Sequence, residues 1–399
     1  MKGGFRVTDK LKKGLALSGG GYRATLFSLG TLWRFNEEGL LTSLDTITSV
    51  SGGAIAAGFL LYQWDKLNFE VVDEKLGRHR ATNFKEVVAD PLLKFCQRTI
   101  DVPAMALGTV NPSSTAGNEL AKFYDKHLFK NVRLRDLPHN PMAPEFVFYG
   151  TNYDTGVSVR ISKDYVRDYH LGKATGHDLN LSQAVCISSS FPPFMAPVKL
   201  SGESWDWGEP IYKKLDDEII ARLRKKLVLC DGGLYDNMGI EMLWKHGENK
   251  EYDVVFSCDA GAPFEIPHPE GAGILGKLKK LVSWRTWWHS QFGRMTEVMI
   301  DQQRSLRKRT LMRNYLSGEY KGAYWSIETD LSDYKWIEPI ITQKQRGEYD
   351  KLKELATRLS GFGDDKHHRL INWGYCQADS GLRAWYERDM AVGTLPFQL

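Results

Sequence analysis

Two short apolar runs, each ending in a serine–glycine turn and continuing as a helical pattern, constrain this chain more than any other feature. LAL at 15–17 runs into Ser18, Gly19, Gly20 and Gly21, after which Leu26, Leu29, Leu32 and Trp33 recur at helical spacing. ITSV at 47–50 has strand character, Ser51, Gly52 and Gly53 make a second turn, and AIAAGFLLYQW continues as a helix. Two consecutive strand–turn–helix units predict an α/β fold with a mostly parallel central sheet.

The rest of the chain extends that pattern. Residues 68–137 read as an interrupted helical insertion, cap-like over the site, with breaks at Pro91, Pro103 and Pro112. EFVFYG and VSVRIS, separated by TNYDTG, predict a hairpin, and residues 181–188 predict a helix stopped by Pro192 and Pro193. IYKKLDDEIIARLRKK has the spacing of an amphipathic surface helix and is followed by the apolar run LVLC. Further strands are expected at 253–260 and 325–330, and closing helices at 352–359 and 369–388. No repeat or linker divides the chain.

Chemistry gathers at the turns. Ser51 follows a strand and opens a helix, which exposes a hydroxyl on a tight turn beside the positive end of the helix dipole. Gly52 and Gly53 allow other groups to approach. Such a turn also serves as a plain connection, so the reading depends on partners. The first is Gly19, Gly20 and Gly21 at a helix start, whose N–H groups suit an oxyanion, with Arg23 either adding positive field or holding the loop. Gly19, Gly21 and Ala24 also satisfy the loose spelling of a dinucleotide loop, but no acidic residue ends a second strand about 20 residues later. The second is Asp231, which follows LVLC and precedes Gly232 and Gly233, the position of a strand-end side chain beside a turn.

A serine needs a base, and the ten histidines supply no strand-end candidate. His170, His177, His246, His367 and His368 lie among charged or loop residues, where solvation is expected. Asp231 is therefore the candidate that takes the Ser51 proton and returns it to the leaving alcohol.

Charge excludes other classes. With 53 basic and 49 acidic residues interspersed, nucleic-acid binding has no support. The five cysteines form no CxxC pair and no HExxH or EF-hand spacing occurs, so neither a disulfide framework nor a metal or cofactor is expected. No signal-like or membrane-spanning apolar run is present, so the expectation is a cytoplasmic protein that meets lipid peripherally; export by a signal-independent route is left open. The segment 274–292 carries lysines and Trp284, Trp287 and Trp288; it could lie at a headgroup boundary, but tryptophans packed in the core with lysines in solvent is the favoured reading.

SGGGYRA, SVSGG and DGG, in that order, resemble the glycine-rich oxyanion motif, nucleophile elbow and aspartate motif of the patatin-like phospholipases. ISSSFPPF at 187–194 is similar to the block that precedes that family's late strands, and DQQRSLRKR, GAYW and LINWGY resemble C-terminal parts of bacterial members. The likeness runs from about residue 15 to 388 and implies one elaborated domain over 1–399, a three-layer α/β/α sandwich. It implies a Ser51–Asp231 dyad that releases fatty acid from a phospholipid or related acyl lipid. One residue departs from the pattern: Ser49 stands where the elbow usually begins with glycine. The competing functions are a general carboxylesterase or thioesterase with the same dyad, and a non-catalytic lipid-binding regulator.

Overall fold

The two strand–turn–helix units fold side by side. β1 (Lys13–Leu17) leads into α1 (Gly21–Glu37), and β2 (Thr46–Ser49) leads into α2 (Gly52–Gln63). The strands pair in parallel, with Leu15 opposite Ile47 and Leu17 opposite Ser49, so both turns leave the same edge of the sheet. The computed structural model describes residues 11–110, 114–192, 195, 197–212, 215–245, 250–264 and 287–398.

After α2 come a hairpin of β3 (Phe69–Asp73) and β4 (Arg78–Ala81), then helices α3 (Asp90–Cys96), α4 (Asp101–Val110) and α5 (Ala116–Tyr124). Strands β5 (Glu145–Asn152), β6 (Ser158–Ile161), β7 (Val166–Asp168) and β8 (Gly172–Thr175) follow, then α6 (Leu181–Ser189), β9 (Val198–Leu200) and β10 (Asp206–Trp207). The chain continues through α7 (Asp217–Lys225), β11 (Leu227–Asp231), α8 (Gly233–Asp236), β12 (Val254–Asp259) and α9 (Trp287–Leu316). It closes with β13 (Lys321–Ser326), α10 (Gln343–Arg346) and α11 (Asp364–Trp385).

The sheet centre, β5-β2-β1-β12-β13, is parallel throughout. β6, β7, β8 and β10 extend it antiparallel beyond β5, and β11 and β9 add an antiparallel arm. Alternate side chains of the parallel strands feed two cores. Leu15, Leu17, Phe146, Phe148 and Phe256 pack beneath α1, α2, α6 and α11, whereas Ala16, Val255 and Tyr324 pack on the other face with Ile240, Leu243 and Leu311 of α9. The result is a three-layer α/β/α sandwich with a mostly parallel centre.

Four expectations change. The 68–137 insertion is not helical throughout, because FEVVD and RHRA pair as a hairpin that packs its Arg78 and Ala81 ends against the body of the fold through Glu387 and Asn36. Residues 352–359 do not form a helix: a short 3-10 turn ends at Glu354, and the Leu355 and Arg358 carbonyls turn away to accept bonds from Arg23 and the Tyr22 N–H. The late strand starts at Lys321 and stops at Ser326, where the Ser326 N–H bonds the Thr329 hydroxyl in a turn. His177 and His367 are buried, not solvated: His177 Nε2 bonds the Ser162 carbonyl and His367 Nε2 accepts the Phe362 N–H. The segment 274–292 lies outside the described residues apart from the start of α9.

α1 is buried on nearly every side, between the sheet and α11, even though it carries Arg23, Arg34 and Asn36. Arg34 on α1 reaches Asp379 on α11 at 2.9 Å. The helices approach so closely that a Cβ on Gly30 would lie 2.0 Å from the Ile371 carbonyl oxygen, and one on Gly374 would lie 1.9 Å from that of Phe27. Either glycine changed to alanine is expected to destabilise the fold by about 3 kcal/mol in urea titration, the upper end for overpacking. Gly293→Ala, in α9 with open space around it, is expected to stabilise by about 0.5–1 kcal/mol.

Candidate active site

The register of β5 brings the two chemical turns together. Its first half pairs with β2, ending with Phe148 opposite Ser49, and two residues later Gly150 lies opposite Asp231 on β11. β11 runs antiparallel to β5, so its C-terminal end meets the outgoing end of β2. A parallel β11 would carry Asp231 away from that edge. Sequence placed Asp231 at a strand end but gave no strand direction.

Ser51 sits between β2 and α2 with φ 50° and ψ −116°, a backbone region that costs a non-glycine residue about 1–3 kcal/mol. The neighbours hold it there: its N–H donates to both the carbonyl and the hydroxyl of Ser188, each at 3.0 Å, and its carbonyl accepts from Ile55. Gly52 is required by contact, because a Cβ there would lie 2.0 Å from the Gly21 carbonyl oxygen. Gly53 lies over the Leu17 and Ser18 carbonyls and donates to Ser18. Ser49 is buried with its hydroxyl on the Val147 carbonyl of β5, so the serine at this position bonds the neighbouring strand.

The glycine loop lies against this turn. Gly20 and Gly21 have φ of 145° and 58°, and a Cβ on Gly21 would lie 2.5 Å from the Arg358 carbonyl oxygen. The Gly19 N–H donates to the Asn237 carbonyl at 3.0 Å. Neither Gly20 nor Gly21 N–H donates to a protein acceptor among the described residues, and nor does that of Gly52. Arg23 does not point into open space: its guanidinium donates to the carbonyls of Ala260 and Leu355 and to the Thr357 hydroxyl. Burial, helped by the nearby Arg304, lowers its pKa to about 10, which leaves it charged at neutral pH.

Asp231 is 1% exposed. Burial raises its carboxyl from 3.8 to about 7, against the opposing pull of the Gly233 N–H, which donates to Oδ1 at 2.7 Å, and of the Ser51 hydroxyl. Gly232 packs against Tyr149, where a Cβ would lie 2.5 Å from the carbonyl oxygen. The Asp231 N–H donates to the Ser190 carbonyl at 3.1 Å. The end of α6 therefore holds both turns, Ser188 on Ser51 and Ser190 on Asp231. The ISSSF run marked this position without revealing its role. Asn237 was also missed: besides accepting from Gly19, its side-chain oxygen lies 2.3 Å from where a Cβ on Gly19 would stand and 2.7 Å from one on Gly233.

A hydroxyl on a strained turn, a buried carboxyl that titrates near neutrality and free backbone donors at two helix starts form an arrangement suited to acyl transfer. Solved structures to which the chain is similar include human GIVD cytosolic phospholipase A2 in complex with methyl gamma-linolenyl fluorophosphonate inhibitor and terbium chloride. That structure is 12% identical with a TM-score of 0.47, covering 93% of this chain and 57% of that one. VipD from Legionella pneumophila is 14% identical with a TM-score of 0.34, covering 91% and 67%. The type III effector protein ExoU is 12% identical with a TM-score of 0.27, covering 91% and 54%. The chain thus spans 54–67% of the length of these three. A search of curated proteins gives no match. The patatin-like phospholipase family model matches residues 15–244, more than half of the chain, and the chain belongs to that family.

Proposed function

We propose that the chain is a serine lipid acyl hydrolase that cleaves fatty acyl esters of phospholipids or related lipids within one elaborated domain. The observation that carries this reading is Asp231, a buried carboxyl with a pKa near 7 that takes a hydrogen bond from the hydroxyl of a strained Ser51. Ser51 Oγ attacks the acyl carbonyl while the Asp231 carboxylate takes its proton. The carbonyl oxygen becomes an oxyanion, for which the N–H groups of Gly20, Gly21 and Gly52 are the candidate donors; the Gly19 N–H is already engaged. The tetrahedral intermediate collapses, the protonated Asp231 gives its proton to the leaving alcohol, and an acyl-serine remains. Water then repeats the sequence, with Asp231 as base, and releases the fatty acid.

Burial suits Asp231 to this work. An exposed carboxylate of ordinary pKa is a feeble base toward a serine hydroxyl, whereas one near 7 is poised to exchange a proton at neutral pH. The two helix N-termini that meet at the site add positive field without a counter-ion. No helix among the described residues is long and apolar enough to cross a membrane, so the proposed contact with lipid is peripheral.

Ser51→Ala is expected to abolish both fluorophosphonate labelling and phospholipid hydrolysis, and Asp231→Asn to fold normally with turnover lowered about a thousandfold. A near-normal rate in Asp231→Asn would end the dyad. Comparing phospholipid with short-chain soluble esters on one preparation separates a lipid hydrolase from a general esterase. Because only the ionised carboxylate accepts the proton, kcat/KM should rise through about pH 7 and fall about tenfold per unit below it.

The same burial has a stability signature. The folded pKa, about 7, lies above the ordinary 3.8, so the folded state holds the extra proton between these values and loses stability as pH rises through the window. The full difference corresponds to about 4 kcal/mol. Asp231→Asn should therefore unfold later than the parent at pH 8, and the gain should vanish near pH 4; equal stabilities at pH 8 would show that the carboxylate is not desolvated.

A further inference from the structure

The inner face of α9 is fastened beside the candidate site. Arg304 bonds Asp259 at 2.7 Å, and Arg307 reaches Asp236 at 3.2 Å and Glu241 at 3.5 Å, so the helix is tied to the turn that follows Asp231. Its outer face has a different composition. Met295, Val298, Met299 and Leu306 are 40–57% exposed, and Leu316 is 86% exposed. At the helical turn of 3.6 residues they fall on the side opposite Arg304 and Leu311. Single apolar residues on a surface are ordinary, but a row of them along one helix face is not. Arg309 and Arg313 lie exposed within the same row, and neither forms an ion pair among the described residues.

We propose that the outer face of α9 is the surface by which the protein docks on an anionic phospholipid membrane. The occupant follows from the chemistry of the row: thioether and aliphatic side chains suit the acyl boundary, and two exposed guanidinium groups with no ion pair among the described residues, Arg309 bonding only the Ser305 carbonyl of its own helix, suit phosphate and carboxylate headgroups. Position gives the contact a purpose. α9 packs on α8, directly after Asp231, so the helix that docks is joined to the element that follows the candidate base. This purpose rests on the lipid-hydrolase reading; the docking itself does not require turnover.

The test is co-sedimentation of the full chain with vesicles of phosphatidylcholine containing phosphatidylserine, and with vesicles of phosphatidylcholine alone, alongside turnover of a soluble short-chain ester. Wild type should prefer the phosphatidylserine vesicles, with the preference lost at high salt. Arg309→Glu/Arg313→Glu should weaken that binding by at least about tenfold, since each basic residue near an anionic surface contributes about a factor of five. Met295→Ser/Met299→Ser should weaken binding to both vesicle types. Both variants should hydrolyse the soluble ester like wild type, which also establishes that they fold. Wild-type binding to phosphatidylserine vesicles by the charge-reversed variant would overturn the proposal. So would gel filtration showing a dimer that these substitutions break, since the occupant would then be a second copy. Failure of wild type to hydrolyse any ester would remove the enzymatic reading and leave the docking result standing on its own.

Discussion

The backbone contact between the two glycine turns governs the site. Gly52 meets the Gly21 carbonyl where no Cβ would fit, Gly53 donates to Ser18, and the Thr25 hydroxyl bonds the Gly52 carbonyl. α1 and α2 are thereby locked together at their N-termini. The distance between the proposed nucleophile on one turn and the proposed oxyanion donors on the other is then a property of the sheet edge and not of flexible side chains. Two helix dipoles also converge on one point, which in the proposed reaction favours the oxyanion that forms beside Ser51 more than the neutral acyl ester. Strain at Ser51 is tolerable because Ser188 supplies two acceptors to its single N–H.

Local grammar made this part of the molecule legible. A strand that ends in glycines and restarts as a helix has few physical alternatives, so Gly19, Gly20, Gly21, Ser51, Gly52 and Gly53 could be placed from their neighbours alone. Asp231 was legible as a strand end. Its approach to Ser51 was not, because that depends on β11 running antiparallel to β5, a long-range pairing with no local signature. The short strands β7, β8 and β10 were invisible for a related reason: segments of two to four residues, such as Asp206–Trp207, carry too little alternation to register. The helix expected at 352–359 failed where tertiary demand overrode propensity, since its carbonyls serve the glycine loop instead of a helical ladder.

That last exchange shows how much of the site is built by chain outside residues 15–244. Tyr22 N–H bonds the Arg358 carbonyl, Arg23 spans from Ala260 to Leu355 and Thr357, and the Ser18 hydroxyl accepts the Ala260 N–H at 2.7 Å. Burying a guanidinium costs more than its hydrogen bonds return unless each nitrogen finds an acceptor. Arg23 meets that condition with partners from the end of β12 and from the segment before α11. All three of its nitrogens donate to these partners, so it holds the loop and is not a charge aimed at substrate. The glycine loop therefore has its shape only when the C-terminal third is folded around it. α9 extends the same logic to the aspartate turn, where Arg307 grips Asp236 immediately beyond Gly233. Both turns are thus braced from outside by late elements, which leaves the Gly20, Gly21 and Gly52 N–H groups without a protein acceptor among the described residues and the Asp231 carboxyl bonded to the Gly233 N–H and the Ser51 hydroxyl.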